Sequence, residues 1–322
     1  MKAIQVKHVG GPEVMEEVEL AVPEAKGSDA VIKIAAAGVN FIDVYYREGR
    51  YKAVVPFVPG QEAAGEVVAI GPNVTDVKVG DRVAYTMVLG SYAEYASVAS
   101  DRLVKIPDGV NYQQAAALML QGMTAHYLLY STYPLKKGET ALVHAAAGGV
   151  GLLLVQMAHQ LGARVIGTVS TEEKAKLARQ AGADEIILYT QTDFEAETKR
   201  LTDGKGVEVV YDSVGKTTFE KGLNVLRARG YMVLFGGSSG AVPPFDLIQL
   251  SQKGSLFVTR PTLGTHVVPR KRLEESAEEM FDLIGRGKVK IEIDQRYPLA
   301  EVARAHTELA ARKTTGSSVL LP

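Results

Sequence analysis

The hydrophobic positions change rhythm once along the chain, near residue 124. Before that point they fall in short runs cut by turn residues. Residues 30–36 (AVIKIAA) alternate in part and are expected to break at Gly38. Residues 60–70 run to the turn Gly71-Pro72-Asn73, Gly80-Asp81 opens a strand over 82–87, and Gly90-Ser91 opens one over 92–98. Short strands at this spacing predict a β-rich, barrel-like module. After residue 124, β-type runs at 140–145, 163–169, 185–189, 207–212, 230–235 and 255–259 alternate with helical patterns at 150–161, 172–181, 194–201, 219–226 and 244–253. That alternation predicts a parallel sheet covered on both faces, with right-handed crossovers. Six such strands fit a doubly wound dinucleotide fold. Beyond residue 259 the alternation stops. An amphipathic helix at 273–284, a strand at 289–293 and a helix at 299–311 are expected to return to the first module.

The first strand of the alternating region runs into Ala145-Ala146-Ala147-Gly148-Gly149-Val150-Gly151 and then a helix. Glycine lets backbone approach a pyrophosphate, and a helix N-terminus offers free N–H groups and a positive dipole end. The strand–turn–helix context supports the motif, although alanine replaces the first glycine of G-x-G-x-x-G. An NAD site would place Asp or Glu near the end of the next strand. That strand ends Ile166-Gly167-Thr168-Val169-Ser170-Thr171, and Lys174 follows. A hydroxyl and an ammonium suit a 2′-phosphate, which a carboxylate would repel, so NADPH is the expected cofactor.

Composition narrows the classes further. The 322 residues include 36 Lys plus Arg against 37 Asp plus Glu, a formal charge of −1. Bulk positive charge for nucleic acid is missing. There is no cysteine, which removes disulfides, thiolate nucleophiles and Cys-containing zinc sites. The first eight residues carry no apolar core or cleavage pattern, so a signal peptide is not expected and a cytoplasmic location is. The apolar stretch 141–158 holds His144, glycines and Gln156, and reads as a buried strand–turn–helix rather than a membrane span. Gly236-Gly237-Ser238-Ser239-Gly240 spells a nucleophile elbow, with Asp282 and His306 downstream, but Pro243 and Pro244 oppose the helix it requires. The six histidines show no metal-ligand spacing, and His144 is expected to be a packed residue.

Four segments carry a family resemblance: Ala36-Ala37-Gly38-Val39-Asn40-Phe41-Ile42-Asp43, Pro59-Gly60-Gln61-Glu62-Ala63-Ala64-Gly65, His144 to Gly151, and Tyr211-Asp212-Ser213-Val214-Gly215. With the closing Gly316-Ser317-Ser318-Val319-Leu320-Leu321-Pro322, they resemble the zinc-free NADPH:quinone oxidoreductases of the medium-chain dehydrogenase/reductase superfamily across essentially the whole chain. The match looks close to the bacterial members. Zinc-dependent alcohol dehydrogenases of that superfamily carry Gly-His-Glu where this chain has Gly60-Gln61-Glu62. Glu62 is therefore expected to be a structural or hydrogen-bonded carboxylate. The resemblance implies a GroES-like catalytic domain over 1–124, a Rossmann NADPH domain over 125–259, and a return segment of the catalytic domain over 260–322. It implies that Asn40, Tyr45, Tyr51 and Thr124 face the nicotinamide and the substrate, with Tyr127 beside them. By the same resemblance Gly148, Gly149, Val150 and Gly151 meet the pyrophosphate, and Ser170, Lys174 and Tyr189 frame the 2′-phosphate. Ser213, Phe235, Ser238, Val258 and Arg260 line the remaining cofactor, and Arg312 reaches it from the return segment. Homodimers through the cofactor domains are also implied.

The chemistry this implies is metal-free hydride transfer from NADPH to a quinone. Asn40 would donate through its amide, and Tyr45 or Tyr51 through a hydroxyl, to the oxyanion that develops. Reduction of the activated double bond of an enal or enone needs the same geometry and is the alternative within enzymes. An NADPH-bound RNA-binding or structural protein is the alternative of another class.

Overall fold

The computed structural model describes residues 1–322 and divides into two units, one of residues 1–123 with 266–322 and one of residues 124–265. Residues 260–265 thus lie with the middle unit.

In the outer unit β1 (Lys2–Val6) and β2 (Met15–Glu19) form a separate antiparallel pair. The long strand β3 (Asp29–Val39) is followed by α1 (Phe41–Arg47), β4 (Glu62–Ile70), β5 (Arg82–Thr86), β6 (Tyr95–Ala99), β7 (Val104–Lys105) and α2 (Tyr112–Tyr127). The middle unit holds β8 (Thr140–His144), α3 (Gly149–Gln160), β9 (Arg164–Val169), α4 (Glu172–Gln180), β10 (Glu185–Leu188), α5 (Phe194–Leu201), β11 (Val207–Asp212), α6 (Phe219–Asn224), β12 (Leu226–Leu234), α7 (Ile248–Gln252) and β13 (Phe257–Thr259). After α8 (Leu263–His266), the chain forms α9 (Arg270–Gly285), β14 (Ile293–Pro298), α10 (Val302–Ala310) and β15 (Ser317–Leu321).

The middle unit's sheet has the order β10-β9-β8-β11-β12-β13, with every pair parallel. This is the doubly wound, Rossmann-type α/β arrangement. Leu142, Ile166, Val210 and Met232 are buried in its core. The outer unit's sheet runs β14-β15-β3-β4-β5-β7, with β6 also on β3. It is the β-rich, GroES-like part, built over Ile4, Ile32, Val67, Val83 and Leu103. Residues 266–322 belong to it because β15 lies antiparallel on β3. No helix is long and apolar enough to cross a membrane.

Several boundaries differ from the sequence expectation. The strand expected to break at Gly38 continues to Val39, because Val319 pairs with Gly38 and Leu320 with Ala37. The strand expected at 289–293 lies instead at Ile293–Pro298: Val289 and Ile291 are buried, but it is the next segment that pairs with β15. The helix expected over 244–253 shrinks to Ile248–Gln252, its start marked by Asp246, whose Oδ1 accepts from Ile248 N at 3.0 Å. The strand expected from Gly230 begins at Leu226, which pairs with Val207. The helices α1 and α2 interrupt a region that reads as strands and turns. Ala115–Met119 of α2 are all buried, which erases the one-sided pattern that would announce a helix.

Candidate active site

All six strands of the middle sheet point the same way, so their carboxyl ends share one edge. The order reverses at β8, which pairs with β9 on one side and β11 on the other. Such a switch point is where open α/β sheets bind ligands. The turn after β8 leads to Gly148, the N-cap of the 12-residue α3, and no side chain caps that end. The first N–H groups of a helix have no intrahelical partner, so they are available to an anion. A Cβ at Gly151 would collide with the carbonyl oxygen of Ala145, so only glycine fits there. Ala146 occupies the position of the missing first glycine. It is tolerated because β9 carries Gly167 beside it, where a Cβ would come within 2.9 Å of the Ala146 methyl.

Other predicted cofactor residues line the same edge. Ser170 follows β9, Tyr189 follows β10, Ser213 follows β11 and Phe235 follows β12. Val258 sits in β13 and Arg260 just beyond it. The N–H of Tyr189 bonds Val169 O at 3.1 Å, and that of Ser238 bonds Ser213 O at 3.1 Å. Lys174 lies in the first turn of α4, its own N–H held by the Thr171 hydroxyl at 3.3 Å. The loop after β11 is shaped by buried Asp212. Its Oδ1 accepts from Val214 N at 2.7 Å and Gly215 N at 3.0 Å, and its Oδ2 from the Thr218 hydroxyl at 2.8 Å. Thr124 and Tyr127 are buried on α2. His144 is buried as expected, with Nδ1 2.9 Å from Thr168 Oγ1 and its ring edge-on to Phe194.

The outer unit gathers polar side chains instead. Asn40 caps α1 in a reciprocal box with Asp43. Its Nδ2 donates to Glu62 Oε1 at 2.6 Å, and its Oδ1 accepts from Gln121 Nε2 at 3.0 Å. The Gln121 Oε1 accepts from the Ser317 hydroxyl at 2.8 Å. Glu62 Oε2 accepts from Leu120 N at 2.5 Å. Space for that carboxylate exists because Gly38 lacks a Cβ, which would collide with Glu62 Oε1. Burial pushes the Glu62 carboxyl up to about 8, against the pull of its two N–H donors. Asp43 is pushed up to about 7 by burial, opposed by the Asn40 N–H and the Tyr92 hydroxyl, and its Oδ1 is buried without a partner.

Beyond Asp43 the network runs outward. The Tyr92 hydroxyl donates to Asp43 Oδ2 at 2.9 Å and lies 3.1 Å from His306 Nε2. Arg47 Nη1 lies 3.2 Å from His306 Nδ1. A guanidinium only donates, so Nδ1 accepts and the proton of a neutral His306 sits on Nε2, facing Tyr92 Oη. Burial and then Arg47 hold His306 far below its ordinary value, at about 3. Both ring nitrogens are committed, which removes His306 as the base of a hydrolase. No helix follows Ser238 until Ile248, which removes the elbow as well. Nearby on the chain, the Tyr45 ring meets Tyr51 edge-on at 5.5 Å.

Residues 26–108 match the family model described as "Alcohol dehydrogenase GroES-like domain", and 149–286 that described as "Zinc-binding dehydrogenase". A quinone oxidoreductase of Pseudomonas aeruginosa is 54% identical, covering 100% of this chain and 99% of the relative. The chain belongs to the quinone oxidoreductase family. An Escherichia coli quinone oxidoreductase solved with NADPH superposes with a TM-score of 0.98 at 44% identity, covering 100% of both chains. A 2-haloacrylate reductase of a Burkholderia species is 43% identical over 97% of this chain and 96% of the relative. One family description names zinc, so the donors deserve a test. This member has no cysteine, Gln61 precedes Glu62, and no group of three or more His, Asp or Glu is gathered. These donors do not fit a zinc ion. The uncapped start of α3 and the close approach at Gly151 do fit a dinucleotide pyrophosphate.

The structure thus gathers Gly148–Gly151, Ser170, Tyr189, Ser213, Phe235, Val258 and Arg260 at one sheet edge. Asn40, Tyr45, Tyr51 and Arg312 belong to the outer unit, and Thr124 and Tyr127 to the middle one. Sequence reasoning missed Gln121, Ser317, Tyr92 and Arg47 as network members, and Asp212 as the organiser of its loop. Asp212 and Ser317 stand in segments that carry the resemblance, but no local pattern ties any of these residues to its partners. Only the proximity of Asn40 to Asp43, at capping-box spacing, was open to detection.

Proposed function

We propose that this protein is an NADPH-dependent quinone reductase. The observation that carries the proposal is the uncapped, glycine-lined turn at the switch point, in a chain that matches an NADPH complex of a quinone oxidoreductase over its whole length. Bound NADPH supplies the hydride. The N–H groups of Gly149, Val150 and Gly151 would hold the pyrophosphate, with Gly148 giving the backbone access. Ser170, Lys174 and Tyr189 would hold the 2′-phosphate. Ser213, Phe235, Ser238, Val258, Arg260 and Arg312 would contact the remainder of the cofactor. Asn40, Tyr45, Tyr51, Thr124 and Tyr127 would face the nicotinamide and the quinone. There Asn40 and a tyrosine hydroxyl would donate to the oxygen that gains charge, and water would complete protonation.

A homodimer is part of the proposal. The edge strand β13 has no partner on its far side in the chain, and Phe257, Val258, Leu247 and Ile248 are exposed near it in sequence. A cytoplasmic site of action completes it, in keeping with a cysteine-free chain. A second reading, reduction of an activated carbon–carbon double bond, is favoured by the 43% identity to a 2-haloacrylate reductase. One assay separates them: NADPH consumption with ortho- and para-quinones, repeated with NADH, and with an enone and a 2-haloacrylate as controls. Quinone turnover specific to NADPH supports the first. Turnover of the alkenes alone supports the second.

A further inference from the structure

Asn40 sits in a line of groups that have two self-consistent arrangements. In the observed one, Ser317 Oγ donates to Gln121 Oε1, Gln121 Nε2 to Asn40 Oδ1, and Asn40 Nδ2 to Glu62 Oε1. Every donor points toward Glu62, and Leu120 N occupies its other oxygen. This arrangement needs Glu62 ionised, because both oxygens accept. Suppose Glu62 takes a proton on Oε1. It then becomes a donor toward Asn40, and the Asn40 carboxamide must turn over to present Oδ1. Gln121 turns in response, and the Ser317 hydroxyl rotates from donor to acceptor. Each contact along the line again pairs one donor with one acceptor, and the Asp43 N–H that the Asn40 side chain gives up in turning keeps the Asn40 backbone oxygen at 3.1 Å.

We propose that Glu62 is a positioning residue whose proton decides which end of the Asn40 carboxamide, and in turn of the Gln121 carboxamide, points toward it. Asn40 keeps one N–H outside the line, and a lone pair of its oxygen takes that place when the amide turns. The group presented to reacting molecules therefore changes from donor to acceptor at a fixed place. This rests on the reading that Asn40 faces the quinone or the nicotinamide. The elevated carboxyl of Glu62, pushed up by burial, brings the change near neutral pH. The surroundings supply few competing charges. β3 brings Gly38 and β5 brings Thr86, opposite Glu62 in register. From α2 come only Leu120 N and the neutral Gln121. Asp43 of α1 acts through its charge, with Tyr92, Arg47 and His306 of α10 behind it.

Glu62→Gln makes a sharp test. The Leu120 N–H must meet the amide oxygen, so the new NH2 faces Asn40 and locks the arrangement of protonated Glu62. With the full-length protein, kcat/KM for a quinone is measured from roughly pH 6 to 9, alongside NADPH affinity and Tm. The parent should show a step of about threefold or more, and E62Q should lose it while binding NADPH within about twofold of the parent. A step of unchanged size and midpoint in E62Q overturns the proposal. Asn40→Ala separates the two levels of argument. If it turns over within about twofold of the parent, the role of Asn40 fails, and the positioning role fails with it. If N40A is impaired about tenfold but E62Q keeps the parent profile, only the positioning role fails. Should E62Q not fold, Gln121→Glu replaces it. A second acceptor-only group beyond Asn40 should move the step to higher pH, and an unmoved step overturns the proposal.

Discussion

The two units are organised by different means. The middle unit works through backbone: N–H groups at the start of α3, a turn that only glycine fits at Gly151, and strand ends aligned by parallel pairing. The outer unit works through side chains, in a buried line from Ser317 to Glu62 and in a branch from Asn40 N–H through Asp43, Tyr92, His306 and Arg47. A backbone site is specified by a few adjacent residues and tolerates change around them. A side-chain network is specified by distant residues, and each member leaves a partner unsatisfied when it goes.

The largest effect should come from Gly151→Val. Its side chain would drive into Ala145 O, and NADPH affinity measured by fluorescence titration should fall by at least about a hundredfold, roughly 2.7 kcal/mol. An unaltered affinity would break the assignment of the turn. Lys174→Ala comes next. If the ammonium meets the 2′-phosphate, NADPH affinity drops about ten- to a hundredfold while NADH binding stays the same. Equal losses for both would remove Lys174 as the phosphate reader. Gly38→Ala probes the other unit, because its methyl group displaces the Glu62 carboxylate. We expect kcat to fall about tenfold with cofactor affinity nearly unchanged; a fall in affinity alone would contradict the division of labour.

The smallest effect is on stability against pH. Glu62 and Asp43 are raised in the fold, to about 8 and about 7, from ordinary values of 4.5 and 3.8. Stability from a raised group is complete below its unfolded value and is lost as pH climbs through its folded value. His306, depressed from 6.5 to about 3, acts oppositely, but only below its unfolded value of 6.5. Above pH 6.5 the two carboxyls act without that opposition, so Tm should fall by about 3 °C or more between pH 6.5 and 8.5. Asp43→Asn should flatten part of that slope, and a slope identical to the parent's would show that Asp43 does not titrate in this window.

The same contrast explains what the sequence could reveal. The strand–glycine–helix turn is contiguous, so its position was readable from residues 140–161. The six-strand alternation was readable because β-runs and helical runs differ in period. Glu62 was readable as a structural or hydrogen-bonded carboxylate, but not with its partners. Its partners are Asn40 at the start of α1 and Leu120 of α2, and nothing in the local pattern ties Ser317 to Gln121 or Gly38 to Glu62. The strand β14 was misplaced for a similar reason: its pairing with β15 is set across the fold.

The interruption of the outer unit by the middle one also has a consequence in time. β3 pairs with β15, joining Val39 to Ser318 across the whole intervening chain. Closing so long a loop costs entropy that grows slowly with length, but the search for it is slow. The middle unit has no such debt, since each of its strands pairs within residues 140–259. Refolding should therefore order the turn at Gly148–Gly151 first and Asn40 with its partners only later. Until β15 docks, Ser317 is not yet in place, and the line that ends at Glu62 would be the last part of the molecule to settle.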